Sequence, residues 1–424
     1  MAAPRRAVAA WILYDWGDSA FATVVSTFVV ATYFTQGVAV DPVTGAAQWA
    51  GAQSVAGLLV ALLAVPMGAL ADRGGWRGRM LGACVAVMAL CSMGLWFVRP
   101  EPGFVPLALG LVVAATVAFE VATVFYNAML PELASPGRIG RLSNIAWGAG
   151  YAGGLACLAV ALVALVMPDP SPFGLDRGQA EHVRAAAVLA GLWVLAFGWP
   201  AAVFIPERTA AVPWRVAVRD GWREMRATLR EVRHDRALLR LLVARMLFMD
   251  GLITLFAFGG IYAAGEFGFS ATEVLVFGIG LNVTAGLGVF GFAFVEDRIG
   301  AKTAVLLSLC GLVVLGLPLL VVSDPAWFWG LGLALGVFVG PCQSASRSLM
   351  AHMAPAEARA SWFGLFALSG RVTAFAGPAA LGLATMAFQS QRAGMAVILI
   401  FLAAGAVVLA GLRVRSAEAP RPEA

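Results

Sequence analysis

The sequence predicts an all-α integral membrane protein of twelve transmembrane helices, built as two parallel six-helix repeats with both termini in the cytosol. Three observations carry this expectation. Of the 424 residues, 61% are hydrophobic and only 12% charged, with mean hydropathy +0.85, whereas soluble domains hold roughly 45–50% apolar and about 25% charged residues. Apolar runs of about 20 residues, enough for a helix to cross a bilayer, recur from end to end without the alternation of barrel strands. A short polar pattern, D-R-x-G-x-R/K, also occurs twice, as Asp72-Arg73-Gly74-Gly75-Trp76-Arg77 and as Asp297-Arg298-Ile299-Gly300-Ala301-Lys302.

Bounded by charges, proline and glycine, the first six apolar runs lie near 9–36, 49–71, 80–98, 104–130, 142–167 and 185–205. A second six lie near 238–264, 271–295, 303–322, 326–350, 360–387 and 391–411. The distribution of basic residues supports the count. With the N-terminus inside, Arg5, Arg6, Arg73, Arg77, Arg79, Arg138 and Arg141 all fall on the cytosolic side, as do the arginines from Arg208 to Arg240, then Arg298, Lys302, Arg347, Arg359, Arg413, Arg415 and Arg421. The opposite side receives Arg99, Arg177, Arg184 and Arg392. Such a bias sets orientation through the positive-inside rule. A cleavable signal peptide is not expected, because the first apolar stretch is too long and has Asp15 and Asp18 in its interior.

Four segments follow: a six-helix bundle over 1–205, a cytosolic linker over 206–237, a second six-helix bundle over 238–412 and a disordered tail over 413–424. In the linker, Trp214, Val218, Trp222, Met225, Leu229 and Val232 recur every three or four positions among arginines. That spacing describes a basic amphipathic helix on the membrane surface; the alternative is a plain solvated connection. Cys84, Cys91, Cys157, Cys310 and Cys342 all lie in apolar runs without metal-site spacing, so they read as packing residues. No metal or cofactor is expected.

Both D-R-x-G-x-R/K loops follow the second helix of their half, as parallel repeats require. With Gly68 four residues before Asp72, the first loop resembles the signature G-x-x-x-D-R-x-G of the major facilitator superfamily. The resemblance implies that the loop acid and basic residues latch the halves on the cytosolic side. It carries over to Asp72, Arg73, Asp297 and Arg298, and with Arg77 and Lys302 these form the candidate cytosolic gate. The basic residues after the first loop are displaced from the superfamily pattern, to Arg77 and Arg79. Three blocks resemble one branch more narrowly: Tyr14-Asp15-Trp16-Gly17-Asp18-Ser19-Ala20-Phe21, Phe125-Tyr126-Asn127-Ala128-Met129-Leu130-Pro131-Glu132 and Gln343-Ser344-Ala345-Ser346-Arg347-Ser348-Leu349. They are similar to the family that includes the fungal autophagy-related vacuolar amino-acid effluxer. Asp18 departs from that family's pattern, which has Asn there.

Ionisable residues inside apolar runs cost at least about 2.5–3.5 kcal/mol at the bilayer centre, which marks them as functional candidates. At about 1.5 Å of rise per residue, Asp18 falls roughly 15 Å into the first helix, near the midplane, and Asp15 about a turn nearer the cytosol. The same arithmetic places Glu120, Asp250 and Arg371 near the midplane of helices 4, 7 and 11, and Arg347 about a turn from the cytosolic end of helix 10. The superfamily resemblance implies that helices 1, 4, 7 and 10 line a cavity between the halves. Asp18 and Asp250 correspond in the two repeats, each followed by a threonine, Thr23 and Thr254. Asp15 could instead form a structural pair with Arg371 or Arg347. Each midplane acid could bind solute, carry a coupling proton or be merely hydrogen-bonded. Tyr14, Tyr126, Asn127 and Asn282 are polar companions, with Gln53, Asn144, Tyr151 and Gln343 as further ones; such residues often only tie helices together.

The expected function is secondary active transport by rocker-switch alternating access in a bacterial-type inner membrane, proton-coupled and monomeric, with the proton gradient as driving force. Acids outnumber cations at the midplane, which favours a zwitterionic or cationic solute. The family resemblance implies amino acids or similar metabolites, with export favoured. A multidrug-type cation exporter, an uncoupled facilitator and a non-transporting sensor or scaffold are the alternatives. An enzyme is not expected, because the apolar runs hold no nucleophile–base pair or metal cluster, and nothing points to nucleic acid.

Overall fold

A computed structural model describes residues 4–135, 137–205, 230 and 235–413. The expected amphipathic linker and the tail fall almost wholly outside the described residues, as does the side chain of Arg73. What is described is helical: α1 Arg5–Val38, α2 Pro42–Gly74, α3 Arg77–Gly94, α4 Val105–Leu133, α5 Ile139–Ala161 and α6 Glu181–Phe204. These are followed by α7 Arg236–Phe267, α8 Ala271–Ile299, α9 Ala301–Leu319, α10 Pro325–Met353, α11 Arg359–Ser369, α12 Ala376–Phe388 and α13 Gln391–Ala410. Eleven of the described spans are long and apolar enough to cross a membrane.

Local chemistry sets several of the starts. Asp235 accepts from the Ala237 and Leu238 amides at 2.8 and 3.0 Å and opens α7, while Ser270 and Glu273 close a reciprocal capping box at the head of α8. Asp324, followed by a proline in the first turn, opens α10. Each cap satisfies amides that the first turn leaves without a partner.

Two compact units emerge. One contains the chain up to Met129 and resumes at Ala149; the other contains Leu130–Gly148, the end of α4 and start of α5, together with the C-terminal helices. Relative to the six-plus-six division of the sequence, the segment 130–148 is grouped with the second unit. Inside the first unit α6 packs on α1 and α3. Inside the second, α7 packs on α13, and α10 on α8 and α9. The pairing of the first helix with the last thus recurs in both units. Outward surfaces carry large exposed apolar side chains, among them Leu58, Leu62, Leu287, Val314 and Val407, as a surface solvated by lipid tails requires.

With lipid outside, helices associate through close packing of small residues rather than through expulsion of water. Gly153 of α5 is the sharpest case in the first unit: a Cβ there would lie 2.7 Å from the Cα of Trp16. Gly153→Val is therefore expected to destabilise the purified protein by about 1–3 kcal/mol, the usual range for overpacking. Gly57→Ala, where nothing lies within 4 Å of the added carbon, is expected to stay within about 0.5 kcal/mol. Thermal unfolding in detergent compares them, and equal melting points would remove the close contact from the account.

Two departures from the sequence expectation bear on the site. The run expected as one helix over 360–387 is broken: residues 370–375 form turns, with the Arg371 amide donating to Leu368 O at 3.0 Å and the Ala376 amide to Thr373 O at 2.7 Å. Pro378 cannot donate to the carbonyl four residues back, and its ring would strike it. It is accepted because it stands in the first turn of α12, and the glycines at 370 and 377 further weaken the helix around the break. Arg371 therefore sits in the break, not along a helix. The second departure is in α1, where Phe21–Phe28 and Phe34–Val38 are π-helical.

Candidate functional site

In the first unit the polar residues of α1 meet α4 and α5. Trp11 Nε1 donates to Tyr126 O at 2.9 Å, and the Trp11 and Tyr14 rings stack on Tyr126 with centroids 4.3 and 4.6 Å apart. This stack holds the Tyr126 hydroxyl where it donates to Asp15 Oδ2 at 2.8 Å. Asp18, one turn on, is 5% exposed, with the Ser19 hydroxyl 3.5 Å from its Oδ1. Tyr14 is fully buried, and its hydroxyl has no hydrogen-bond partner among the described residues. Gly150 lets α5 approach at this level, since a Cβ there would lie 2.8 Å from Ser19 Oγ and 3.4 Å from Asp15 Oδ1. Asn127 is buried and Glu120 half-buried on α4.

The second unit repeats part of this on α7. Asp250 is 2% exposed and lies beside Thr373, in the break between α11 and α12. Thr254 donates to Asp250 O at 2.6 Å. Gly377 of α12 packs against the Thr254 hydroxyl and Asp250 O, just as Gly154 of α5 packs against the Thr23 hydroxyl and Ser19 O. The match aligns Ser19 with Asp250, because Thr23 and Thr254 each follow the matched carbonyl by four residues, and Asp18 precedes that place by one. Arg245, a turn and a half before Asp250, is engaged elsewhere: its Nη1 donates to Phe366 O at 2.7 Å and its guanidinium lies 3.6 Å from the Phe366 ring centroid.

Arg347 is 1% exposed in α10. Its Nε donates to Ser143 Oγ at 2.9 Å and its Nη2 to Ser143 O at 2.6 Å, with the guanidinium 4.8 Å from the Trp147 ring centroid. Asn282, half-buried in α8, donates to Gly278 O of its own helix at 2.9 Å. Of the candidate gate, Asp72 pairs with Arg77 at 2.5 Å, Asp297 Oδ1 accepts from the Arg141 amide at 3.1 Å, and Arg298 is exposed. Lys302 donates to Ala410 O and Leu412 O at 2.8 and 2.7 Å, so it caps the end of α13, where free carbonyls attract a cation.

The sequence reading passed over Glu296, Ser143, Trp147, Ser344 and Ser348 as a group. Ser143 Oγ and Ser344 Oγ lie 2.9 Å apart, and Glu296, 1% exposed, accepts from Asn144 Nδ2. The available signal was the acid immediately preceding Asp297; the expected helix ended at 295, which left Glu296 in a loop, whereas α8 continues to Ile299. An apolar cavity of about 860 Å³ between α2, α3 and α4 is lined by residues such as Leu59, Met67, Cys84 and Val117. It holds none of the acids, so it does not supply a polar solute site. Among the described residues no cluster of His, Cys, Asp or Glu is arranged to hold a metal, and all five cysteines are free thiols.

Residues 43–420 match the family described as vacuole effluxer Atg22 like. The chain belongs to this family. Its relatives include an MFS-type transporter of Bacillus subtilis, YxiO, 23% identical over 94% of this chain and 93% of that protein. Autophagy-related protein 22-1 of Aspergillus niger is 22% identical over 59% of this chain, which spans under half of the fungal protein, 44%. Among solved structures, the human organic anion transporter MFSD10 superposes with TM-score 0.71 at 18% identity, covering 96% of this chain and 99% of that one. The proton:xylose symporter XylE, a major facilitator superfamily protein, gives 0.67 at 14% identity over 95% and 94%. At such identities the shared property is the fold. This Atg22-like chain is a multi-pass membrane transporter of the major facilitator fold.

Proposed function

We propose that the chain is a proton-coupled secondary active transporter working by rocker-switch alternating access, which exports a small zwitterionic or cationic solute of the amino-acid type. One observation carries the reading: Asp18 and Asp250 are buried carboxylates on the first helix of each unit, within one residue of matching places at which a threonine packs on a glycine. Burying an acid at such depth is costly unless it is used, and a repeat that keeps two of them, with a break in the partner helix beside one, resembles how transporters build midplane sites. Either acid can meet an ammonium group or exchange a proton, so no covalent chemistry is required. The description of the family, vacuole effluxer Atg22 like, supports export. The broken pair α11 and α12 supplies a twelfth crossing in this reading, with both termini cytosolic in a bacterial inner membrane and one chain acting alone.

The test is transport by the purified chain in proteoliposomes, against a panel of amino acids and organic cations. A saturable flux of a zwitterion or cation above that of protein-free vesicles is the expected outcome. Flux confined to organic anions or sugars would overturn the solute class, and no flux of any compound would overturn transport.

A further inference from the structure

At the end of α8, the Glu296 carboxyl and the Asn144 amide of α5 face each other with a shortage of hydrogens. Asn144 Nδ2 donates both to Gly140 O at 2.8 Å and to Glu296 Oε2. The Gly140 bond fixes which end of the amide is nitrogen, because the flipped amide would set two oxygens together. Both remaining oxygens, Glu296 Oε1 and Asn144 Oδ1, are buried without a hydrogen-bond partner among the described residues. Two orphan acceptors in one contact between residues 1% and 0% exposed call for an explanation. One proton on the carboxyl supplies it: a carboxylic acid pairs with an amide by accepting from its N–H and donating to its C=O, whereas a carboxylate has no donor.

The surroundings agree. The charged groups facing Glu296 are Asp297 on its own helix and Arg347 on α10, and the neutral Ser348 hydroxyl is a hydrogen-bond partner of its carboxyl, which still leaves Oε1 and Asn144 Oδ1 unmatched. Arg347 also donates through its Nε and Nη2 to Ser143. Arg141 lies over the Phe294 ring at 5.3 Å, and Lys302, six residues on from Glu296, caps α13. His352, one turn beyond Ser348, bonds its carbonyl at 2.7 Å. Gly140 is the residue that lets the backbone of α5 reach the acid, since a Cβ there would lie 2.7 Å from Glu296 Cδ.

We propose that Glu296 is a proton-binding site, distinct from Asp18 and Asp250, whose proton joins the start of α5 to the end of α8 through Asn144. Loss of the proton leaves a buried charge opposite a carbonyl oxygen and loosens α5 from α8. The site goes beyond the transport reading above and stands or falls without it.

Infrared spectroscopy of the full chain in nanodiscs at about pH 6, where an ordinary glutamate is ionised, tests this. The difference between wild type and Glu296→Gln is expected to contain a protonated-carboxyl C=O band, and that band is expected to persist in Asp18→Asn and Asp250→Asn. A difference showing carboxylate stretches would overturn the proposal. Should Glu296→Gln not fold, Asn144→Ser carries the test: the C=O band is expected to shift as its partner changes, and an unmoved band would count against the pairing. Amide exchange over residues 139–148, corrected for intrinsic rates, is expected to speed up at alkaline pH in wild type and not in Glu296→Gln; equal protection in wild type at both pH values would refute the loosening. Failure of solute flux in proteoliposomes would leave all these readouts intact, so the two claims fail separately.

Discussion

Arg347→Ala is expected to cost about 3 kcal/mol of stability, because each hydrogen bond from a charged group contributes roughly 1.5–3 kcal/mol and Arg347 makes two to Ser143, at 2.9 and 2.6 Å. The side chain is 1% exposed, so water cannot replace the lost donors, and the cavity beside Trp147 adds to the penalty. Arg347→Lys keeps the charge but not the planar fork that addresses a hydroxyl and a carbonyl together, and is expected to recover less than half of the loss. Thermal unfolding in detergent checks the series, with Ser143→Ala completing a double-mutant cycle whose coupling is expected near 1–2 kcal/mol. An alanine variant melting with wild type would show that the Ser143 contact contributes nothing.

The network around Arg347 also shows where the sequence was legible and where it was not. Charges inside apolar runs stand out against their surroundings, so Asp18, Asp250 and Arg347 were found at once, and the two loops at Asp72 and Asp297 exposed the repeat. Their partners were less visible. Ser143, Trp147 and Ser344 are ordinary residues for a membrane helix, and nothing in their spacing says that a guanidinium sits among them. Glu296 was hidden by its position: hydropathy falls before Asp297, yet the helix continues, since backbone hydrogen bonding does not stop where side chains turn polar. The break at Arg371 depends on Pro378 acting with two glycines, while the interior prolines Pro131 of α4 and Pro341 of α10 leave those helices intact. The loop motif points to Lys302 as a gate residue and says nothing of the two carbonyls at the end of α13 that its amine reaches.

The repeat makes Asp18 the residue on which the functional account turns. Asn has nearly the same shape, so Asp18→Asn is expected to preserve packing while removing a charge and a titratable proton. If Asp18 carries the coupling proton, the variant still exchanges solute across a vesicle membrane but no longer accumulates it in response to a proton gradient, a loss of about tenfold or more per pH unit of gradient, since each unit is 1.36 kcal/mol. Asp250→Asn serves as the matched control on the other repeat, separating a role for this one acid from a general intolerance of neutral residues at that level.

The most direct measurement is solute flux by wild type and Asp18→Asn in proteoliposomes under an imposed pH gradient, beside equilibrium exchange without one. Gradient-driven accumulation by wild type, with exchange retained but accumulation lost in Asp18→Asn, is the predicted result. Accumulation by the variant with an unaltered response to the gradient would contradict the assignment of Asp18 as the coupling group.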